Sequence, residues 1–214
     1  ICYGMTETAP VSVQSSTADS VERRVGTVGR VHPHLEIKIV DENGKVVPRG
    51  KLGELCVRGY SVMLGYWEDN DKTQEVIDVA KWMHTGDIAE MDEEGFVKIK
   101  GRIKDVVIRG GENLFPKEIE DFLYTHPDVS DVQVIGLPDP RYGEELCACI
   151  ILHEHHQINE EAIRKYCAEH ISHNKVPRYV RFFTEFPMTA SGKAQKFKLQ
   201  ELMRQELNLL EDIA

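Results

Sequence analysis

Residues 95–116, GFVKIKGRIKDVVIRGGENLFP, decide how the chain is divided. Phe96-Val97-Lys98-Ile99-Lys100 alternates apolar and cationic side chains, the period of a strand with one buried face. Gly101 breaks that period, and a charged elbow follows, Arg102-Ile103-Lys104-Asp105. A second, wholly apolar run, Val106-Val107-Ile108, leads to Gly110-Gly111, and Pro116 then stands where a helix can open. The order is strand, polar elbow, strand, glycine turn, helix. Two glycines closing a strand let backbone approach a ligand. The same residues also suit a surface hairpin with a loose loop, so the flanks must choose between the two.

The two flanks differ in pattern. Upstream, residues 8–24 read as a polar loop, and Leu35-Glu36-Ile37-Lys38-Ile39 alternates as a strand before a tight turn at Asp41-Glu42-Asn43-Gly44. Residues 53–59 form another short strand that runs into an aromatic and glycine-bearing segment, 60–67. A helix is expected over 70–79, with Asp71 or Thr73 near its start, then a strand over 88–91 and a turn over 92–95. Short strands at this spacing predict a meander or small barrel. Downstream, helices alternate with strands. Helix 116–125 places Ile119, Phe122 and Leu123 on one face, and strands follow over 129–136 and 146–152. A helix over 160–171, a strand over 180–183 and a last amphipathic helix over 194–210 complete the pattern. The expected fold is α+β: a strand-rich first part, 1–103, and a small α+β second part, 104–214, with the boundary at Lys104.

Composition narrows the function classes. The 214 residues are 41% hydrophobic, and no apolar run is long enough to cross a bilayer. A net charge of -10 argues against nucleic acid or an anionic membrane surface as the main partner, while leaving room for a local cationic site. Cys2, Cys56, Cys147, Cys149 and Cys167 show neither a CxxC pair nor scaffold spacing, and Cys147 and Cys149 fall on one strand face as small core residues. A reducing compartment follows from that usage. The chain opens on Ile1 with no signal or transit segment, so an upstream part of a longer protein is expected to precede it.

Four short motifs carry chemistry. Tyr3-Gly4-Met5-Thr6-Glu7 reads as the end of a buried strand turning outward to present Thr6 and Glu7. A glutamate there can hold a hard cation beside phosphate oxygens, or be a solvated loop residue. In Trp82-Met83-His84-Thr85-Gly86-Asp87, the aspartate can accept from two vicinal hydroxyls such as those of a ribose, or cap its turn. Lys193 ends Pro187-Met188-Thr189-Ala190-Ser191-Gly192-Lys193, a glycine-bearing loop that leaves it either solvated or free to deliver a cation to a carboxylate or phosphate. His153-Glu154-His155-His156 reads as a solvated loop in preference to a metal site, because neighbouring histidines at a strand end diverge.

In this order the motifs resemble those of the adenylate-forming superfamily, which includes acyl-CoA synthetases, luciferases and peptide-synthetase adenylation domains. Tyr3 through Glu7 is similar to its YGxTE motif, Trp82 through Asp87 to W-x-x-TGD, Gly101 through Asp105 to the hinge segment GR-x-[DK]-D, and Pro187 through Lys193 to P-x-x-x-S-G-K. The resemblance covers nearly the whole chain but only the carboxyl-terminal part of the family architecture. A phosphate-binding loop of the TSGTTGxPKG type does not occur, so the fragment alone is expected to be inactive. Residues 109–116, 143–150 and 171–173 look most like the family's mitochondrial medium-chain acyl-CoA ligases. That resemblance implies the mitochondrial matrix, with the cytoplasm as the alternative.

The resemblance also implies a function and a set of roles. The chain would be part of an ATP-dependent ligase that makes an acyl adenylate from a medium-chain fatty acid, with Mg2+, and passes the acyl group to CoA. The first part would close the large AMP-binding domain as a distorted barrel, and the second would be its mobile partner, hinged at Lys104. Tyr3 and Gly4 would lie along the adenine, Thr6 would meet phosphate and Glu7 would hold magnesium. Asp87 would bind the ribose, with Arg102 at ribose or phosphate, and Lys193 would bridge acyl carboxylate and α-phosphate. Gly110 and Gly111 would line a pantetheine tunnel. Ile108 stands where many relatives carry lysine, so no role for that lysine carries over. An adenylate-forming enzyme with a non-CoA acceptor, or a module that only binds nucleotide or a partner, are the alternatives.

Overall fold

The computed structural model describes residues 1–190 and 192–209. The chain divides into two compact units, Ile1–Lys104 and Asp105–Ala214, each with its own interior. In the first, β1 (Cys2–Tyr3), β2 (Val13–Gln14) and β3 (Arg30–Val31) make a small antiparallel sheet. A four-stranded antiparallel meander follows in chain order: β4 (Leu35–Val40), β5 (Gly53–Gly59), β6 (Met83–Met91) and β7 (Val97–Arg102). The sheets join where Val28 N donates to Val97 O and Val97 N to Gly29 O, both at 2.9 Å. Val13, Ile39, Leu55, Val57, Ala89 and Val97 fill the shared interior, with Tyr3 packed against them. Two short helices, α1 (Val21–Gly26) and α2 (Asn70–Val76), contribute no buried residue to it.

Strand alternation puts Leu55 and Val57 on the core face of β5, which turns Glu54, Cys56 and Arg58 to the opposite face. The β5–β6 ladder is broken there. Glu54 pairs with Ile88 but Cys56 pairs with His84, so β6 carries extra residues, a bulge centred on Gly86. Gly86 has φ 70°, a left-handed conformation that an L side chain resists. Side chains make good the lost ladder bonds. Thr85 Oγ1 donates to Leu55 O at 2.7 Å and accepts from Asp87 N at 3.2 Å, while Glu54 Oε1 accepts from Gly86 N at 2.9 Å.

The second unit is a sheet with helices on both faces. It contains β8 (Val107–Arg109), β9 (Glu112–Leu114), α3 (Pro116–Leu123), β10 (Val129–Asp139), β11 (Gly143–Leu152), α4 (Glu160–His170), β12 (Tyr179–Phe182) and α5 (Lys196–Glu206). β11 is central, antiparallel to β10 on one side and flanked by parallel β12 and the end of β8 on the other. Leu146, Ala148 and Ile150 pack with Ile119 and Leu123 of α3 and with Ile163 and Cys167 of α4. Cys147 and Cys149 face the other way, onto Leu199 and Met203 of α5 and onto Phe186. Burial on both faces is why this strand reads as one unbroken apolar run.

β10 lies at the sheet edge, and on the side away from β11 its backbone at Val134 and Gly136 is met by side chains. Glu120 Oε1 accepts from Val134 N at 2.8 Å and from Lys196 Nζ at 2.6 Å. Lys196 Nζ donates also to Val134 O at 3.1 Å, and Gln200 Nε2 to Gly136 O at 3.2 Å. The edge is thereby closed to pairing with a second chain.

The structure departs from the sequence expectations in several places. The elbow is a 3-10 turn over Ile103–Asp105, and in the apolar run after it Val107 is buried while Ile108 is exposed. Gly110-Gly111 does not lead straight to the helix. It is the two-residue turn of a β8–β9 hairpin, with φ 60° and 85°, the double left-handed geometry such turns favour. The polar stretch 8–24 holds β2 and part of α1, and α2 has Asp71 in its first turn as expected, is capped by Asp69, which accepts from Lys72 N, and ends at Val76, earlier than expected. Residues 83–87 lie within β6, which is longer than expected. β1 is a two-residue strand with Cys2 exposed, not a buried strand end. Position 210 of the last expected helix, and Ser191, lie outside the described residues.

Glu120→Ala should strip the acceptor from both Val134 N and the Lys196 ammonium at a nearly buried position. A loss of about 3 kcal/mol is expected, read as a lower denaturant midpoint. Asp121→Ala, which removes the exposed Lys117 pair on the same helix, should change stability by less than about 0.5 kcal/mol.

Candidate functional site

The bulge in β6 turns Asp87 toward Tyr3 and Arg102. Tyr3 OH donates to Asp87 Oδ2 at 2.6 Å, and Arg102 Nε donates to Asp87 Oδ1 at 3.1 Å. The residues come from β1, β6 and β7, with Asp87 directly opposite Arg102 in the ladder. The Asp87 side chain is only 10% exposed, whereas that of Arg102 is 48% exposed. Burial, and then the hydrogen bond to Asp87, push the Tyr3 hydroxyl well above the ordinary phenol range, so it remains a donor. Each carboxylate oxygen has one further lone-pair direction after these bonds, which lets Asp87 accept from two adjacent hydroxyls. Arg102 keeps four N–H donors beyond Nε for an anion.

Next to Tyr3 the chain makes a sharp structural turn. A Cβ on Gly4 would meet Pro10 O at 1.6 Å, so no other residue fits without moving backbone. Thr6–Thr8 form one 3-10 turn, closed by buried Thr8, whose Oγ1 accepts from Met5 N and donates to Met5 O, both at 3.2 Å. Thr6 is exposed on this turn and Glu7 half-buried. Glu7 is fixed from both ends: its Oε1 accepts from Tyr66 OH at 3.0 Å, and its carbonyl accepts from Met63 N at 2.8 Å. Burial, followed by the Glu7 carboxylate, raises the Tyr66 phenol pKa. Tyr66 is in turn fixed by its N–H to Thr73 Oγ1 at 2.9 Å.

The remaining sequence-derived positions lie at the elbow and in the second unit. Lys104 is exposed in the 3-10 turn that ends the first unit. Gly110 and Gly111 are exposed at the β8–β9 turn, and Gly110 N donates to Tyr142 O at 2.8 Å. Lys193 is exposed on a tight loop in which Thr189 N donates to Lys193 O at 2.8 Å and Lys193 N to Thr189 Oγ1 at 3.0 Å. Gly192 in this loop has φ 79°. His156 Nδ1 lies 2.5 Å from Asp128 Oδ1 in an exposed loop, with the His153 ring 5.9 Å away.

Sequence reasoning thus names Tyr3, Asp87 and Arg102, which the fold brings together, but not the residues that hold the site in shape. Tyr66 falls in the aromatic and glycine-bearing segment 60–67, which received no role. Thr85 and Glu54 support Asp87 through a bulge that no periodicity announces. The adjacent Gly86 is the one signal that could have located it.

The first 67 residues match the family model described as AMP-binding enzyme, and residues 118–193 match the model of the AMP-binding enzyme C-terminal domain. The chain is 54% identical over 98% of its length to the mitochondrial medium-chain acyl-CoA ligase ACSF2 of Bos taurus, of which it covers 34%. Among solved structures, it superposes with TM-score 0.88 on ATP-bound MatB from Rhodopseudomonas palustris, at 34% identity and covering 96% of this chain and 40% of that one. The amide bond synthetase McbA from Marinactinospora thermotolerans is also 34% identical, with TM-score 0.83 over 94% of this chain and 41% of that one. The chain spans about a third of the length of the curated relatives it matches. With one model matched at each end and near-complete coverage by these relatives, the chain belongs to the AMP-binding enzyme family.

Proposed function

We propose that this chain is the carboxyl-terminal part of an AMP-forming fatty acid–CoA ligase acting on medium-chain substrates in the mitochondrion. The observation that carries the reading is the 54% identity to the bovine ligase over 98% of this chain, joined to the Tyr3–Asp87–Arg102 cluster. In the first half-reaction a fatty-acid carboxylate oxygen attacks the α-phosphorus of ATP, and the bond to pyrophosphate breaks. In the second, the CoA thiolate attacks the acyl carbonyl and AMP leaves with the carboxyl oxygen.

The residues take these roles. Asp87 accepts the two ribose hydroxyls and so holds the nucleotide in both half-reactions, with Arg102 beside it to meet ribose or phosphate. Tyr3 and Gly4 lie along the adenine, and Thr6 contacts phosphate. Lys193 brings an ammonium between the acyl carboxylate and the α-phosphate, where negative charge accumulates as the new bond forms. Glu7 is suited to Mg2+, since Tyr66 fixes one carboxylate oxygen and leaves Oε2 as a hard ligand. That ion would neutralise phosphate charge. Gly110 and Gly111 present bare backbone to a pantetheine arm, and Lys104 is the hinge between the large domain, ending at 103, and a mobile domain over 104–214.

The direct test uses the whole protein that contains this chain. ATP–pyrophosphate exchange dependent on medium-chain fatty acids, followed by thioester formation with CoA, is expected. Exchange without CoA thioester, but with transfer to an amine, would favour the chemistry named for McbA instead.

Lys193→Ala in the whole protein should slow adenylate formation about a hundredfold to a thousandfold, while pre-made acyl adenylate is still converted to thioester at near the normal rate. Asp87→Ala should weaken the nucleotide in both half-reactions. Normal adenylation by Lys193→Ala, measured by exchange, would remove the lysine from the mechanism. Lys104→Pro fixes φ at the hinge and should impair the two half-reactions to different extents in single-turnover assays. Equal losses in both would leave Lys104 as an ordinary turn residue.

A further inference from the structure

On the β5–β6 face that looks away from the core, Glu54, Cys56 and His84 converge. His84 Nδ1 lies 2.7 Å from Glu54 Oε2 and 3.6 Å from Cys56 Sγ, and the three ligand-type atoms all fall within 4.8 Å of one another. Cys56 is fully buried, while the Glu54 and His84 side chains are 18% and 30% exposed, so the group has both a dry floor and a mouth. The side-chain hydrogen bonds of the three go to one another and to Gly86 N, and those of the other cluster join Tyr3, Asp87 and Arg102. We propose that Glu54, Cys56 and His84 form a binding site for a thiophilic divalent cation of the zinc class.

The geometry and the charge both fit. Bonds of about 2.0–2.3 Å in a tetrahedron set ligand atoms roughly 3.3–3.8 Å apart. The sulfur and the imidazole nitrogen already have that spacing, and the carboxylate oxygen, within 4.8 Å of both, has to move off the imidazole nitrogen to share an ion with them. A thiolate, a carboxylate and a neutral imidazole sum to the charge that a divalent ion cancels. The thiol proton leaves to solvent when the Cys56 Sγ–metal bond forms, and His84 carries its remaining proton on Nε2, with water as fourth ligand. Burial, followed by the Glu54 carboxylate, pushes the Cys56 thiol up to about 12, which keeps it a thiol until a metal arrives. Two other charged groups bear on the sulfur, Lys38 and Asp78, and Lys38 Nζ is parked over the Trp82 ring at 4.6 Å. The carboxylate can ligate through Oε2 while Oε1 retains Gly86 N. An ion here would therefore be tied to the bulge that aims Asp87.

The test titrates the whole protein with Co2+ alone and then displaces it with Zn2+ against a chromogenic chelator. One equivalent with a thiolate-to-cobalt charge-transfer band is expected, and Cys2→Ser, at an exposed cysteine, should leave it intact. Cys56→Ser should abolish the band and lose one equivalent, and His84→Ala should weaken zinc binding about 10–100-fold, with circular dichroism reporting the fold. If either variant does not fold, Glu54→Gln decides: its amide oxygen can still hold Gly86 N, and it should bind zinc at least about tenfold more weakly. Absence of the band in the folded wild-type protein, its persistence in Cys56→Ser, or undiminished affinity in Glu54→Gln would overturn the proposal.

Discussion

A carboxylate that is almost buried must find donors, and the first unit is built so that Asp87 has them. Tyr3 and Arg102 each give one hydrogen bond, and they come from strands at different places in the chain. Arg102 stands directly opposite Asp87 in the β6–β7 ladder, and the bend of β6 against β5 lies immediately before it. The bend costs ladder hydrogen bonds and puts Gly86 in a left-handed conformation. Thr85 and Glu54 restore those bonds with side-chain oxygens, so the distortion is fully satisfied and the carboxylate is held by the sheet itself. Losing Thr85 would leave Leu55 O and Asp87 N without their partner, which makes the bulge a single unit of several dependent bonds.

The second unit answers a different constraint. A sheet covered by helices on both faces still has an edge, and on β10 the edge is sealed by Glu120, Lys196 and Gln200 from α3 and α5. The same helices supply the two apolar clusters, so covering the faces and closing the edge are one arrangement. The cysteines within it are small core residues. Burial raises the Cys167 thiol to about 11, and Cys147, hydrogen-bonded to the free thiol of Cys149 and buried, is raised further still. Such thiols do not act as nucleophiles at neutral pH. Cys56 differs in having an imidazole and a carboxylate beside it.

Legibility in the sequence followed the physics of each element. The strand of Gly53 through Gly59 and the helices opening at Pro116 and Glu160 were plain, since alternation, proline and apolar spacing are local signals. Strand β9 has no local signal, because three-residue strands carry too little period, although a surface hairpin is one of the two readings the stretch allows and Gly110-Gly111 marks its turn. Motif spacing pointed to Asp87 and Arg102, yet nothing local showed that they face each other across a ladder. Tyr66 was missed because its partner Glu7 is far away in sequence, and its role exists only once the first unit has folded.

The residues of the proposed site fall into two mechanical classes. Asp87 and Glu7 are acceptors fixed by hydrogen bonds within the first unit, so a nucleotide that meets them loses little of its binding energy in ordering protein. Lys193 is the opposite case. Its loop backbone is tied by Thr189, but its side chain is exposed and free to adopt many rotamers. A fixed acceptor suits an interaction needed throughout a reaction cycle, whereas an unplaced ammonium suits one needed in a single step. A lysine fixed permanently against a phosphate would bind the adenylate as tightly as the transition state that forms it, and would gain nothing in rate. The difference between Asp87 and Lys193 in how firmly each is held therefore matches the difference in when the proposed mechanism calls on each.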